Sequence, residues 1–240
     1  MAHLRFAPSP VLANIYLHYA LDLWVERIVK KGCSGQVVYQ RYADDLVRFA
    51  ARPVLSSLRS SEVVGFEFGY EAKRFFAELP KRLNKFCLEI APEKSGIVRF
   101  SRCDLRGSGR FVYLGFDFYW ARTRSGKQTV KRRTNTKKFQ QALLSLKVWI
   151  NGAKSTPLKR LASTLRRKLA GHFNYYGVIG NSHRLSEFFN AARHTIYRAL
   201  NSRSQKKSYN WKGFTAMWKT LDIPNPKIVE TMQSRPPCLI

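Results

Sequence analysis

The sequence predicts an α+β chain in two parts, a small sheet-and-helix part followed by a three-helix part. Two observations carry this. Up to about residue 120, runs of strand-forming residues such as Val37-Val38-Tyr39 and Leu46-Val47-Arg48-Phe49 alternate with stretches of helical period, whereas later apolar residues recur at helical spacing. Charge divides along the same line. Residues 1–120 carry 18 basic and 12 acidic side chains, and residues 121–240 carry 25 and 3. A boundary near residues 125–135 follows, giving expected domains of 1–125 and 126–240.

Taken in order, Ser9-Pro10 is a good N-cap and first-turn pair, and Leu12, Ile15, Tyr16, Tyr19 and Leu23 form an apolar stripe behind it. Asp22 falls on the polar side of that helix and is expected to be an ion-pair partner. Gln36 to Ala50 reads as a β-hairpin with Ala43-Asp44-Asp45 at its turn. Residues 51–70 have no clear period and look like an irregular insertion. Phe75, Leu79, Leu83 and Phe86 mark another helix, which Pro80 should kink or restart. Strands are expected at Gly96–Phe100 and Phe111–Tyr119, the second leading into a loop at Arg124-Ser125-Gly126-Lys127.

The last part reads as three amphipathic helices. Phe139, Leu143, Leu146 and Ile150 mark the first. Leu158, Leu161, Leu165, Leu169 and Phe173 mark the second, entered at Pro157. Leu185, Phe188, Phe189, Ala192, Ile196 and Leu200 mark the third.

Composition narrows the function. The 240 residues carry a formal charge of +28, from 43 Lys and Arg against 15 Asp and Glu, with 45% hydrophobic residues to build a core. That much charge must lie on the surface and repels itself unless a polyanion binds. Nucleic acid is the leading partner, with an anionic membrane surface second. No apolar run approaches the roughly 18 residues that cross a bilayer. The four cysteines form no C-x-x-C pair, so neither a zinc site nor a disulfide framework is expected, and a reducing, cytoplasmic location is the simplest reading.

Chemistry concentrates at Arg41-Tyr42-Ala43-Asp44-Asp45. Adjacent carboxylates raise each other's pKa, and Mg²⁺ relieves that repulsion while taking substrate phosphates as further ligands. A surface turn would instead leave both aspartates solvated. The basic helices offer a second kind of site. Lys159, Arg160, Arg166, Arg167 and Lys168 lie largely off the apolar stripe, beside His172, Asn174, Tyr175 and Tyr176. Cations with neighbouring aromatic and amide groups suit RNA, although one of the two tyrosines is expected in the core. Lys131-Arg132-Arg133 reads as a triplet at a loop edge, suited to phosphate contact or to a solvated turn.

Several blocks together resemble a known family. Tyr42-Ala43-Asp44-Asp45 matches the Y-x-D-D box of reverse transcriptases. Ser9-Pro10-Val11-Leu12-Ala13-Asn14-Ile15-Tyr16-Leu17 resembles the helix that follows the P-Q-G motif in reverse transcriptase/maturase proteins of group II introns. Leu83-Asn84-Lys85-Phe86 through Pro92-Glu93-Lys94-Ser95, the segment around Tyr113-Leu114-Gly115-Phe116, and Gly171-His172-Phe173-Asn174-Tyr175-Tyr176-Gly177 with Gly180-Asn181-Ser182 resemble later blocks of that family, in the same order.

The resemblance implies part of a right-hand polymerase palm followed by a helical maturase thumb, with group II intron RNA and an RNA/DNA primer-template as partners. It implies Asp44 and Asp45 as catalytic carboxylates holding Mg²⁺. Lys94 would lie near the incoming nucleotide's phosphates, and Tyr113, Leu114 and Gly115 would grip the primer. Leu4-Arg5-Phe6-Ala7-Pro8 stands where P-Q-G is expected, and the family's other catalytic aspartate would fall before residue 1. Weak or no autonomous synthesis is therefore expected, from a split, truncated or decayed protein that a separate N-terminal fragment would complete. A non-enzymatic RNA-binding module that assists splicing is the alternative, and a degenerate relic is a third.

Overall fold

A computed structural model describes residues 10–42, 62–90, 95–100, 109–123, 125–203 and 209–231. The described residues form a mixed α+β chain with six α-helices and small antiparallel sheets. The chain divides after Leu114 into two compact units, earlier than the 125–135 read from sequence.

In the first unit, α1 (Pro10–Leu17) continues into wider turns at His18–Asp22 and Val25–Val29 and ends in a 3₁₀ turn at Lys30–Gly32. The backbone N–H groups of Leu23 and Lys30 donate five residues back, to His18 and Val25. Such π-type turns rotate the buried face. The core residues are Ala13, Leu17, Ala20, Leu21, Trp24, Val25 and Val29, while Leu12, Ile15 and Tyr19 of the expected stripe are exposed. With apolar residues on several sides, regular spacing selected the wrong face.

Strand β1 (Val37–Arg41) pairs antiparallel with β2 (Glu62–Phe66), from Val37 opposite Phe66 to Arg41 opposite Glu62. The expected irregular insertion thus contains β2 and the start of α2 (Gly69–Asn84). The expected return strand Leu46–Phe49 lies outside the described residues. Helix α2 runs through Pro80 without restarting and buries Phe75 and Leu83. Trp24 stacks on Phe75 with centroids 5.4 Å apart. Residues 95–100 have no regular structure, so no strand forms at Gly96–Phe100. The expected strand from Phe111 to Tyr119 is interrupted. Strand β3 spans Phe111–Tyr113, and Leu114 (φ 49°) and Gly115 (φ 77°) then turn the chain.

The second unit opens with β4 (Phe116–Arg122) and β5 (Gln128–Thr134), an antiparallel ribbon in register from Phe116 opposite Thr134 to Arg122 opposite Gln128. Gly126 (φ 79°) supplies the left-handed residue of the connecting turn. Helices α3 (Thr136–Gly152), α4 (Leu158–Tyr176) and α5 (Ser182–Asn201) follow where the three stripes predict them. A fourth, α6 (Trp211–Thr220), lies beyond the three helices that the stripes predict. Its signals are Asn210, whose side chain caps the Gly213 N–H, and the spacing of Phe214 and Trp218, both buried.

One core joins these helices, built on Leu146, Ile150, Leu165, Leu169, Phe173, Leu185, Phe188, Ala192, Ile196 and Phe214. Asn181, 1% exposed, ties the ribbon to it. Its Oδ1 accepts from the Thr134 N–H at 2.9 Å, and its Nδ2 donates to Thr134 Oγ1 and to the Tyr176 carbonyl, each at 2.8 Å. Among the described residues, no helix is long and apolar enough to cross a membrane.

Candidate nucleic-acid interface

Helix α4 separates its two kinds of residue cleanly. Leu161, Ala162, Leu165, Leu169 and Phe173 are buried, and Lys159, Arg160, Arg166, Arg167 and Lys168 are all exposed on the remaining arc. At 3.6 residues per turn, Arg160, Arg167, Gly171 and Asn174 fall along one line of that arc. Lys168 and Arg166 flank it. The Lys168 ammonium lies 5.3 Å from the Trp149 ring centroid, and Arg166 donates to the Leu221 carbonyl at 2.9 Å. Arg166 therefore anchors the turn after α6 as well as carrying charge. Among the described residues, no ion pair joins any of these five cations to a carboxylate.

The groups at the C-terminal end of α4 divide between surface and core. Asn174 is exposed, and Tyr175 is 54% exposed with its ring 6.0 Å from that of Phe116. Tyr176 packs against the core, as one tyrosine of the pair was expected to do. His172 turns inward. Its ring stacks on Phe188 with centroids 3.7 Å apart and lies 4.7 Å from Tyr176. Burial pushes its pKa down to about 4, so at neutral pH it is uncharged and contributes packing rather than a cation.

The other basic run behaves differently. Lys131, Arg132 and Arg133 lie within strand β5 and not at a loop edge. Arg132 pairs with Glu230, whose second oxygen accepts the Ile179 N–H at 2.8 Å. Arg133 reaches Asp117 at 3.4 Å, and its guanidinium lies over the Tyr119 ring. Lys131 donates to the Arg122 carbonyl at 3.4 Å. Two of these three cations therefore already have carboxylate partners. Residues 98 and 16 positions apart form the two pairs, a separation that leaves no local pattern to read.

Of the residues assigned to polymerase chemistry, Asp44, Asp45 and Lys94 lie outside the described residues. Tyr113 is half-buried at the end of β3. Leu114 and Gly115 form the turn, and a Cβ on Gly115 would come within 3.1 Å of the Tyr176 hydroxyl. Arg41, the residue before the Y-x-D-D box, is held by Asp22, to whose carboxylate it donates from Nε at 2.9 Å and Nη2 at 2.7 Å. Tyr39 donates to the same carboxylate at 2.7 Å. Burial acts to raise the Asp22 pKa, but these hydrogen bonds outweigh it and the net shift is downward. Asp22 is thus the ion-pair partner that its position predicted. Among the described residues, no group of three or more His, Cys, Asp or Glu side chains could hold a metal ion.

In comparison with known proteins, no family model matches the chain and no curated protein matches it.

Proposed function

We propose that the chain is a group II intron reverse transcriptase/maturase protein and that its second unit holds intron RNA along the exposed face of α4. The family assignment rests on the ordered motif blocks of the sequence. The RNA reading rests on one structural observation, five exposed cations on α4 that no described carboxylate neutralises, in a unit where arginines on β5 are paired. In this arrangement Arg160 and Arg167 take phosphates, Asn174 offers an amide to ribose or base edges, and Tyr175 presents an aromatic face. Asp44 and Asp45 are the carboxylates that would hold Mg²⁺ for nucleotide addition.

Fluorescence anisotropy with a labelled group II intron transcript tests the RNA reading. The full chain is expected to bind. Arg160→Ala with Arg167→Ala should weaken binding about tenfold or more, equivalent to roughly 1.4 kcal/mol. Absence of binding by the parent chain would refute it. The polymerase and splicing readings then separate cleanly. Asp44→Ala should abolish primer extension if the chain copies RNA, and should leave splicing assistance intact if it acts as an RNA-binding module.

A further inference from the structure

Gly171 has no structural reason to be a glycine. It lies inside α4, more than a turn from either end, and it is exposed. A Cβ built there meets no atom within 4 Å. Its φ is not among the positive values that favour glycine, in contrast to Gly115, Gly126 and Gly180. Glycine is nonetheless the poorest helix former after proline, because it surrenders the most backbone freedom on folding. The other glycines with equally open surroundings sit elsewhere. Gly32 and Gly126 are in turns, Gly69 and Gly152 at helix ends, and Gly96 in irregular chain. Alanine at position 171 would fit the fold and stabilise it.

The surroundings indicate what such a gap serves. Gly171 falls on the exposed line between Arg167, one turn before it, and Asn174, one turn after it. At ~1.5 Å rise per residue, these two side chains stand about 10 Å apart along the helix axis. Between them no side chain comes within 4 Å of where a Cβ on Gly171 would stand, with a cation one turn to one side and an amide one turn to the other. Glycine is the residue that lets another chain approach a backbone closely.

We propose that Gly171 is a side-chain-free notch in which the ribose–phosphate backbone of bound RNA seats directly on α4, its phosphates held by Arg167 and Arg160 and its sugar within reach of Asn174. This deepens the proposed RNA site and rests on it. In that role Gly171 positions the RNA against the helix and contributes no charge.

The test uses the full chain with Gly171→Ala and Gly171→Leu, measuring thermal unfolding and anisotropy with the labelled intron transcript. Gly171→Ala should raise the unfolding temperature yet weaken RNA binding about threefold. Gly171→Leu should weaken it at least tenfold while remaining as stable as the parent. The salt dependence of binding should change less than in Arg167→Ala, because no cation is lost. A Gly171→Leu chain at least as stable as the parent that binds as tightly overturns the notch and leaves the α4 site standing. Loss of stability in both variants overturns it by making Gly171 a packing residue. A change in self-association with unaltered RNA affinity overturns it in favour of a protein contact. Failure of the parent to bind would instead remove the RNA reading itself.

Discussion

Strand β5 and helix α4 each carry a run of cations, and in sequence Lys131-Arg132-Arg133 and Arg166-Arg167-Lys168 look alike. The fold treats them differently. On β5, Arg132 and Arg133 meet Glu230 and Asp117, both buried enough for the pairing to matter to stability. On α4, Arg160, Arg166, Arg167 and Lys168 face solvent, with the hydrophobic core on the opposite side of the helix. Few carboxylates exist in this unit, and the ribbon takes two of them. Positive charge that is neutralised internally holds the fold, and positive charge left over is available to a polyanion. A run of basic residues identifies neither role until its partners are known.

The largest effect that would break this contrast lies on the ribbon. Glu230→Ala leaves the Arg132 guanidinium largely buried without its carboxylate and the Ile179 N–H without its acceptor. The expected cost is about 3 kcal/mol or more in chemical denaturation, with RNA affinity of the folded protein little changed. A comparable loss from Arg160→Ala, or none from Glu230→Ala, would erase the distinction. On α4 the expectation is reversed. Arg160→Ala with Arg167→Ala should move stability by less than about 0.5 kcal/mol while lowering RNA affinity about tenfold or more.

His172 sharpens the comparison within α4 itself. Its pKa in the folded protein, about 4, lies below the ordinary value of 6.5. The unfolded chain therefore binds the proton more readily, and the contribution is fully present above pH 6.5 and is lost as pH falls toward 4. Native-state NMR titration should find a midpoint near 4, and His172→Phe should flatten the acid limb of the stability profile. A midpoint near 6.5 would instead place His172 among the solvent-facing groups. The smallest effect is expected at Arg166, whose hydrogen bond to the Leu221 carbonyl is exposed. Arg166→Ala should cost no more than about 0.5 kcal/mol of stability and reduce RNA affinity by less than the Arg160 and Arg167 pair.

The sequence made the helical half easier to read than the sheet half. Helices α3, α4 and α5 bury or half-bury the residues their spacing selects, because each has one apolar face turned to a single core. In helix α1 the spacing points to the wrong face, since apolar residues surround it and π-type turns shift the buried face to Leu17, Leu21 and Val25. The triplet Lys131-Arg132-Arg133 reads as a loop edge because three successive cations conceal the alternation of β5, and its pairing with β4 is what makes it a strand. The same locality explains the site. The exposed cations of α4 follow from helical period alone, whereas the pairing of Arg132 with Glu230 and the inward turn of His172 depend on tertiary contacts that spacing does not encode. The gap at Gly171 was present in the sequence, but only the open space around it separates it from a packing glycine.

The salt dependence of RNA binding compares the two cation runs most directly. For single-stranded RNA each neutralised phosphate contributes about 0.7 to the slope of log affinity against log salt. Arg160→Ala with Arg167→Ala should therefore reduce the slope by about 1.4, and Arg132→Gln, in the fraction that remains folded, should leave it unchanged. A slope that is flat in the parent, or that falls with Arg132→Gln and not with the α4 pair, would contradict the assignment of RNA to α4.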